Sequence, residues 1–324
     1  MQELEQMLIS RAKELLKDGS VKRVLGWKKG EFCFDNSPFV FESEESLKDF
    51  TYNVFCGANL SKYLINESKK EGKILVFLKP CDTYSYNQLV KEHRIKVENV
   101  YVIGIECQGK IDFNKVQEKG FGYFSEVTEE VDKVTISDNG KTQTFDKNEL
   151  KLSKCSVCNK ELVAGEEVIA LHEKVKNDAD RFEMVKKLES MSADERFAFW
   201  KAQLSKCIRC NACRNVCPAC NCTKCVFDNN ESTIATKANS DSFEEKMFHI
   251  IRAFHVAGRC TDCGECSRVC PQDIPLHLLN RKFISDINGL YGEYEAGKDQ
   301  TSKGPLTSYD KDDLDPNDAV GGKK

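Results

Sequence analysis

The stretch CIRCNACRNVCP, residues 207–218, sets three cysteines at intervals of three, adds a fourth four residues on, and closes with a proline. The spacing returns in CTDCGECSRVCP, where Cys260, Cys263, Cys266 and Cys270 precede Pro271. One such loop turns three thiolates toward a common centre and sends the fourth elsewhere, while the proline ends the loop and re-aims the chain. In two-cluster bacterial ferredoxins a run of this spacing gives its last cysteine to the other cubane. Read that way, Cys207, Cys210, Cys213 and Cys270 hold one 4Fe–4S cluster, and Cys260, Cys263, Cys266 and Cys217 hold a second. A pair of structural zinc knots would also use Cys-x2-Cys. Three cysteines in one loop, duplicated with the proline both times, favour iron–sulfur.

The rest of the composition agrees. Seventeen cysteines in 324 residues would be hard to keep as disulfides against cellular reductants, so their clustering points to metal. A formal charge of −4 offers no basic footprint for nucleic acid. No apolar run approaches the roughly 20 residues that span a bilayer, and the opening MQELEQMLIS is acidic and amphipathic rather than a secretory signal. A cytoplasmic protein with no membrane span is expected.

Helices are expected around both motifs. Ser192 and Glu195 form a capping-box pattern, after which Phe197, Trp200 and Leu204 make an apolar stripe leading into Cys207. In FEEKMFHIIRAFHVAG, Phe243, Met247, Ile250, Ile251 and Phe254 recur at helical spacing and Gly258 is a stop. Pro275 can open a helix with Leu276, Leu279, Phe283 and Ile287 on one face. This arrangement, over roughly residues 181–290, resembles the alpha-helical ferredoxin domain of fumarate reductase iron–sulfur subunits and heterodisulfide reductase subunits. Cys220, Cys222 and Cys225 follow the first motif directly and have no place in the dicluster pattern. They are either ligands of a further cluster, with only Cys33 or Cys56 in view as a fourth partner, or locally packed thiols.

The first half reads as α/β. An opening helix carries Leu4, Leu8, Leu15 and Leu16 on one side. KILVFL (73–78) and VYVIGI (100–105) are buried strands, joined by a helix over 82–95 with Asp82 at its cap: a β-α-β unit. Its strands should be parallel and end on one edge of the sheet, where ligands of open α/β sheets bind. Cys81 and Cys107 lie just past those ends. After a hairpin signalled by Asn139 and Gly140 comes KCSVC, with Cys155 and Cys158. Cys81, Cys107, Cys155 and Cys158 are read as a third 4Fe–4S site; the alternatives are buried thiols for the first two and zinc or no ligand for the pair.

FLKPCDTYSYNQLV, VYVIGIECQGKID and KLSKCSVC, followed by AFWKAQLSKCIRCNACRNVCP, look like the beta-type electron-transfer subunits of anaerobic hydrogenases and formate dehydrogenases. Relatives of this kind include the deazaflavin-reducing hydrogenase beta subunit, the sulfhydrogenase beta subunit and the anaerobic sulfite reductase A subunit. The resemblance, over roughly residues 70–290, implies the third cluster at the same four cysteines. It also implies other subunits of a redox complex as partners, with a ferredoxin as a further candidate. The expected function is to relay electrons within a hydrogenase, formate dehydrogenase, heterodisulfide-reductase-like or methylene-tetrahydrofolate-reductase-type complex, the chain itself being a conductor without catalytic residues.

The rival expectation is a self-contained flavin oxidoreductase using a nicotinamide or deazaflavin. Some members of the family carry flavin, but the glycine loop Gly-x-Gly-x-x-Gly is missing here. A flavin would sit by the strand-end crevice near Lys79 and Asp82, which otherwise read as a solvated lysine and a helix cap. Lys206, Arg209 and Arg214 flank the first motif, Arg259 and Arg268 the second; they either offset cluster charge or solvate the surface. None of the five histidines looks catalytic, and His249 and His255 read as solvent-facing or cluster-shell residues. The expected class is α+β. An α/β domain covers 1–165, a helical connector with Val168, Leu171, Val175 and Phe182 on one stripe covers 166–195, and a helical ferredoxin domain covers 196–290. A tail over 291–324 should be disordered alone or ordered against a partner.

Overall fold

The computed structural model describes residues 2–138, 140–173, 175, 177–228 and 242–308, the side chains of 242–245 excepted. Helix α1 (Gln2–Lys17) buries Leu4, Leu8, Ala12 and Leu15 at helical spacing. A five-stranded sheet follows, in the order β2-β1-β3-β4-β8. Strands β1 (Arg23–Lys29) and β2 (Asn36–Phe41) are an antiparallel pair, and β1 runs parallel to β3 (Ile74–Leu78). After the short helix α2 (Leu64–Glu67), β3 and β4 (Val100–Ile105) are joined by α3 (Pro80–Lys91), with Ile74 opposite Val100 and Leu78 opposite Gly104. This is the expected β-α-β unit, and β3, buried at every position, is its centre.

A second, antiparallel sheet of β5 (Glu126–Glu129), β6 (Lys133–Asp138) and β7 (Lys141–Asp146) closes on its own core of Ile111, Val116, Phe121, Phe124, Val134, Ile136 and Phe145. The expected hairpin is present: Asp138 pairs with Lys141 and Gly140 has φ +85°, while Asn139 lies outside the described residues. Two short helices, α4 (Phe113–Glu118) and α5 (Lys147–Leu150), are capped by Asp112 and Asp146, which accept from the backbone N–H two residues on.

The segment expected to be a helical connector begins instead as a strand. β8 (Glu167–Ile169) pairs parallel with β4, and Val168 stands 60% exposed. The apolar spacing was a poor guide because the free edge of β4 offers a ladder that a helix cannot satisfy. Glu166 donates its N–H to the Val102 carbonyl (2.9 Å), and Glu167 is gripped by Arg11 of α1 and by Tyr101. Helix follows only at α6 (Glu183–Glu189) and α7 (Ala193–Leu204), the latter opened by the Ser192–Glu195 capping box.

The remainder is helical: α8 (Ala212–Val216), α9 (Ser242–His255), α10 (Glu265–Arg268) and α11 (Leu276–Tyr291), preceded by Pro275. Leu204, Phe227, Phe248, Ile274 and Leu276 pack here with the cysteine loops. Helix α9 forms, but it buries Phe248, His249, Arg252 and Ala253 rather than the apolar stripe read from the sequence; Ile250 and Phe254 are exposed. Residues 292–308 lie along the α/β half. Glu295 takes Lys160 and Arg181, Gln300 donates to Asn87 (3.0 Å), and Lys91 to Ser302 (3.0 Å). Gly297, at φ +78°, passes so close to α3 that a Cβ there would meet the Tyr84 carbonyl oxygen at 1.9 Å. Residues 309–324 lie outside the described residues.

The two halves are joined through Glu265, 1% exposed, in the second cysteine loop. Its carboxylate accepts from Lys154, from Arg268 twice at 2.8 Å, and from the Asn59 N–H (3.1 Å). Lys154 also donates to the Gly57 carbonyl (2.9 Å), and Ser85 and Thr261 meet at 3.0 Å. Burial alone would raise the Glu265 pKa above its ordinary 4.5, but Lys154 and Arg268 reverse this and hold it well below. A carboxylate depressed in this way stabilises the fold fully above its unfolded pKa, and that contribution is lost as pH falls through the lower folded value. Glu265→Ala strands the buried Lys154 ammonium beside a partly exposed Arg268 and is expected to destabilise the protein by about 3 kcal/mol near pH 7. In anaerobic denaturant unfolding its midpoint falls, and the gap to the parent narrows in acid; an unchanged midpoint refutes the junction.

Candidate metal centres

The two motifs share one backbone. Arg209 and Asn211 bracket Cys210 with φ of 53° and 61°; Asp262 and Gly264 bracket Cys263 with 54° and 67°. Asn211 and Gly264 then cap α8 and α10, each accepting from the N–H groups three and four residues on. Left-handed residues in such a loop turn successive N–H groups to one side, a concavity suited to an anionic group. The duplicated spacing therefore yields duplicated geometry.

Cys213, Cys217 and Cys266 are buried, and Cys207 and Cys270 pack at the edge of the core that holds Cys213 and Cys266. The thiols of both loops act on one another: Cys270, Cys210 and Cys217 on Cys213, and Cys217, Cys263 and Cys213 on Cys266. Burial pushes the Cys263 thiol up to about 12 and Cys260 well above its usual range. Cys217 is the exception: the Cys220 thiol donates to it and brings it down to about 5. Buried thiols hold their protons until a cation replaces them.

The positive charge facing these thiols comes from a residue the sequence did not mark. Arg252, on the buried face of α9, is 4% exposed, and among the described residues its Nε and Nη2 have no hydrogen-bond partner. Burial would lower its pKa, but the Cys213, Cys217, Cys220 and Cys266 thiolates more than restore it. His249 beside it is held neutral, its pKa lowered to about 3 by burial and by Arg252 and Arg209. Of the cations flanking the motifs, Arg209 is buried over the Phe248 ring (4.2 Å). Arg214 pairs with Asp228 (2.7 Å), Arg259 with Glu92 (2.6 Å) and Arg268 with Glu265, while Lys206 donates to Gln203 at the surface.

In the α/β half, Cys81, Cys107, Cys155 and Cys158 line one cavity of about 280 Å3, together with Lys79, Lys110, Lys151 and Lys154. Parallel β3 and β4 deliver the first two cysteines: Cys81 in the first turn of α3 and Cys107 two residues past β4. Cys155 and Cys158 come from a tight turn in which the Leu152 carbonyl accepts from Cys155 and Ser156. Burial raises Cys81 well above its usual range and Cys155 to about 11.

Lys79 is not solvated and Asp82 is not a helix cap. Lys79 is 1% exposed, over the Trp27 ring (4.3 Å), and donates to the Ala58 carbonyl (2.7 Å) and Asp82 (2.8 Å). The helix begins at Pro80, so Asp82 falls inside it and turns its carboxylate back to that ammonium. Lys110 lies over the Tyr52 ring (3.7 Å) and donates to the Asn53 carbonyl (2.8 Å). Four thiols among buried ammonium groups fit an anionic iron–sulfur core in donor chemistry and in charge. Cys33 and Cys56 lie elsewhere, donating to the Phe124 (3.6 Å) and Thr51 (3.7 Å) carbonyls. Among the described residues no three His, Cys, Asp or Glu side chains close on a single-ion position, and no helix is long and apolar enough to cross a membrane.

A sequence profile described as a 4Fe-4S dicluster domain matches residues 203–274. "F420-dependent formate dehydrogenase subunit beta" of Methanocaldococcus jannaschii is 25% identical, with 89% of this chain and 90% of the relative covered. The corresponding subunit of formate dehydrogenase 1 of Methanococcus maripaludis is 28% identical, with 89% of each covered. The chain is a homologue of these beta subunits. The chain also matches "Putative ferredoxin-3" of Sinorhizobium fredii, 32% identical over 80 residues, which is 24% of this chain and 76% of the relative. A chain of the F420-reducing NiFe hydrogenase complex of Methanosarcina barkeri overlaps 49% of this chain and 62% of its own length, at 13% identity and a TM-score of 0.39.

Beside the cavity of the α/β half, the chain buries a Lys79–Asp82 pair that can be tested alone. Lys79→Met should leave Asp82 buried without its cation and cost about 3–5 kcal/mol. The double variant Lys79→Met/Asp82→Leu should recover most of that loss in denaturant unfolding. Equal losses in both variants would show that the pair is not coupled.

Proposed function

We propose that this chain relays electrons through three 4Fe–4S clusters inside a multisubunit oxidoreductase. The observation that carries the reading is the convergence of four cysteines from two strand ends and a separate turn on one cavity, in the same chain as a duplicated ferredoxin loop. Cys207, Cys210, Cys213 and Cys270 hold the first cluster, Cys260, Cys263, Cys266 and Cys217 the second, and Cys81, Cys107, Cys155 and Cys158 the third. A bound cluster supplies one-electron transfer.

The chain's own residues set the conditions for it. The thiols give up their protons, Arg252 balances charge at the dicluster loops, and Lys79, Lys110 and Lys154 do so at the third site. Lys154 belongs to two places at once, lining the third site and pairing with Glu265 in the second dicluster loop. That shared ammonium is a physical tie between the third site and the dicluster domain. The relatives' names point to a formate dehydrogenase as the kind of complex served, with the chemistry of formate performed by another subunit.

Four thiols line the cavity, and that donor set supports a cluster at that position. Two measurements test the reading. Cys81→Ser and Cys107→Ser should each remove about four iron atoms per chain from anaerobically purified protein; unchanged iron retires the third site. Purified parent protein should show no turnover of a soluble hydride donor without other subunits, and a flavin absorbance band with such turnover would defeat the relay.

A further inference from the structure

Cys220, Cys222 and Cys225 have no role in the three ligand sets, and the sequence offers them no fourth partner. The fold removes the two candidates in view, since Cys33 and Cys56 are bonded within the α/β half. It supplies another. His255, at the end of α9, lines the same cavity of about 340 Å3 as these three cysteines.

The cavity is built rather than incidental. The loop that carries the cysteines is pinned from outside: Lys62 donates to the Cys217 (3.0 Å) and Cys220 carbonyls, and Asn221 is held by Glu92 and Arg259. Arg252 also lines it, 4% exposed, and among the described residues its Nε and Nη2 have no hydrogen-bond partner. A buried guanidinium beside three thiols suits an anionic occupant. The room exceeds the 280 Å3 of the four-thiol cavity, which suits a multi-atom core better than one ion.

We propose that Cys220, Cys222, Cys225 and His255 hold a fourth 4Fe–4S cluster, bound by three thiolates and one imidazole. Loading exchanges three thiol protons for a preassembled core and requires no change of oxidation state. The site adjoins the dicluster region directly, because the Cys220 thiol touches Cys217. The proposal rests on the three-cluster reading above.

The test uses the full chain purified anaerobically, with iron, zinc and acid-labile sulfide counted per chain. The parent should hold about 16 iron atoms, and Cys222→Ser and His255→Ala about 12 each. Pulsed electron paramagnetic resonance on protein labelled with 15N-histidine should show coupling to an imidazole nitrogen. His255→Cys should keep the iron, lose that coupling and lower the potential of one cluster, since imidazole in place of thiolate raises it. A parent that holds about 12 iron atoms, kept by both variants, overturns the fourth site and leaves the relay intact. Loss of a single zinc in the variants also overturns it, whereas a parent without iron sinks the relay reading itself. If the variants do not fold, the parent's labelled spectrum decides alone, and absence of the coupling overturns the proposal.

Discussion

Buried negative charge is the constraint on which this structure depends. A core gripped by thiolates is anionic, and the interior screens it poorly, so cations must be taken out of water beside it at a cost of their own. In this chain the cations beside the cysteine groups are held through second contacts. Lys79 and Lys110 lie over aromatic rings and donate to carbonyls, and Lys79 is matched by Asp82. Arg252 differs: among the described residues its Nε and Nη2 have no hydrogen-bond partner, and the charges that restore its pKa are those of thiols.

Those charges also make one body of two halves. Glu265 belongs to the second cysteine loop, yet two of its contacts, Lys154 and the Asn59 N–H, come from the α/β half. Arg259 of the helical half reaches Glu92 just past α3, and Glu295 returns to Lys160. Pairs so buried are sensitive to loss of either member, which ties the docking of the ferredoxin domain to the integrity of the cavity beside Cys81.

Local features were legible in the sequence. The capping box at Ser192, the β-α-β unit and the duplicated loop each follow from spacing that acts within a few residues, and each is present. Two readings of helical periodicity were not reliable. In α9 the apolar residues Ile250 and Phe254 face outward, because the inward face carries Arg252 and His249 toward the thiols. In the segment from Glu167, pairing with the open edge of β4 outweighed an apolar spacing that suits a helix. Lys79 and Asp82 were misread for a related reason: a lysine is buried only where a particular carboxylate and ring await it, and those partners are set by packing.

By itself the sequence determined that thiolates would be grouped in loops of ferredoxin spacing and that an α/β unit would present two more at strand ends, since both depend on short-range geometry. Only the tertiary structure decided which cation balances which thiol group, that Lys154 serves both halves, and that His255 shares a cavity with Cys220, Cys222 and Cys225. Charge compensation and ligand completion act through space between residues far apart in the chain, and spacing along a polymer carries no information about such meetings until the chain has folded.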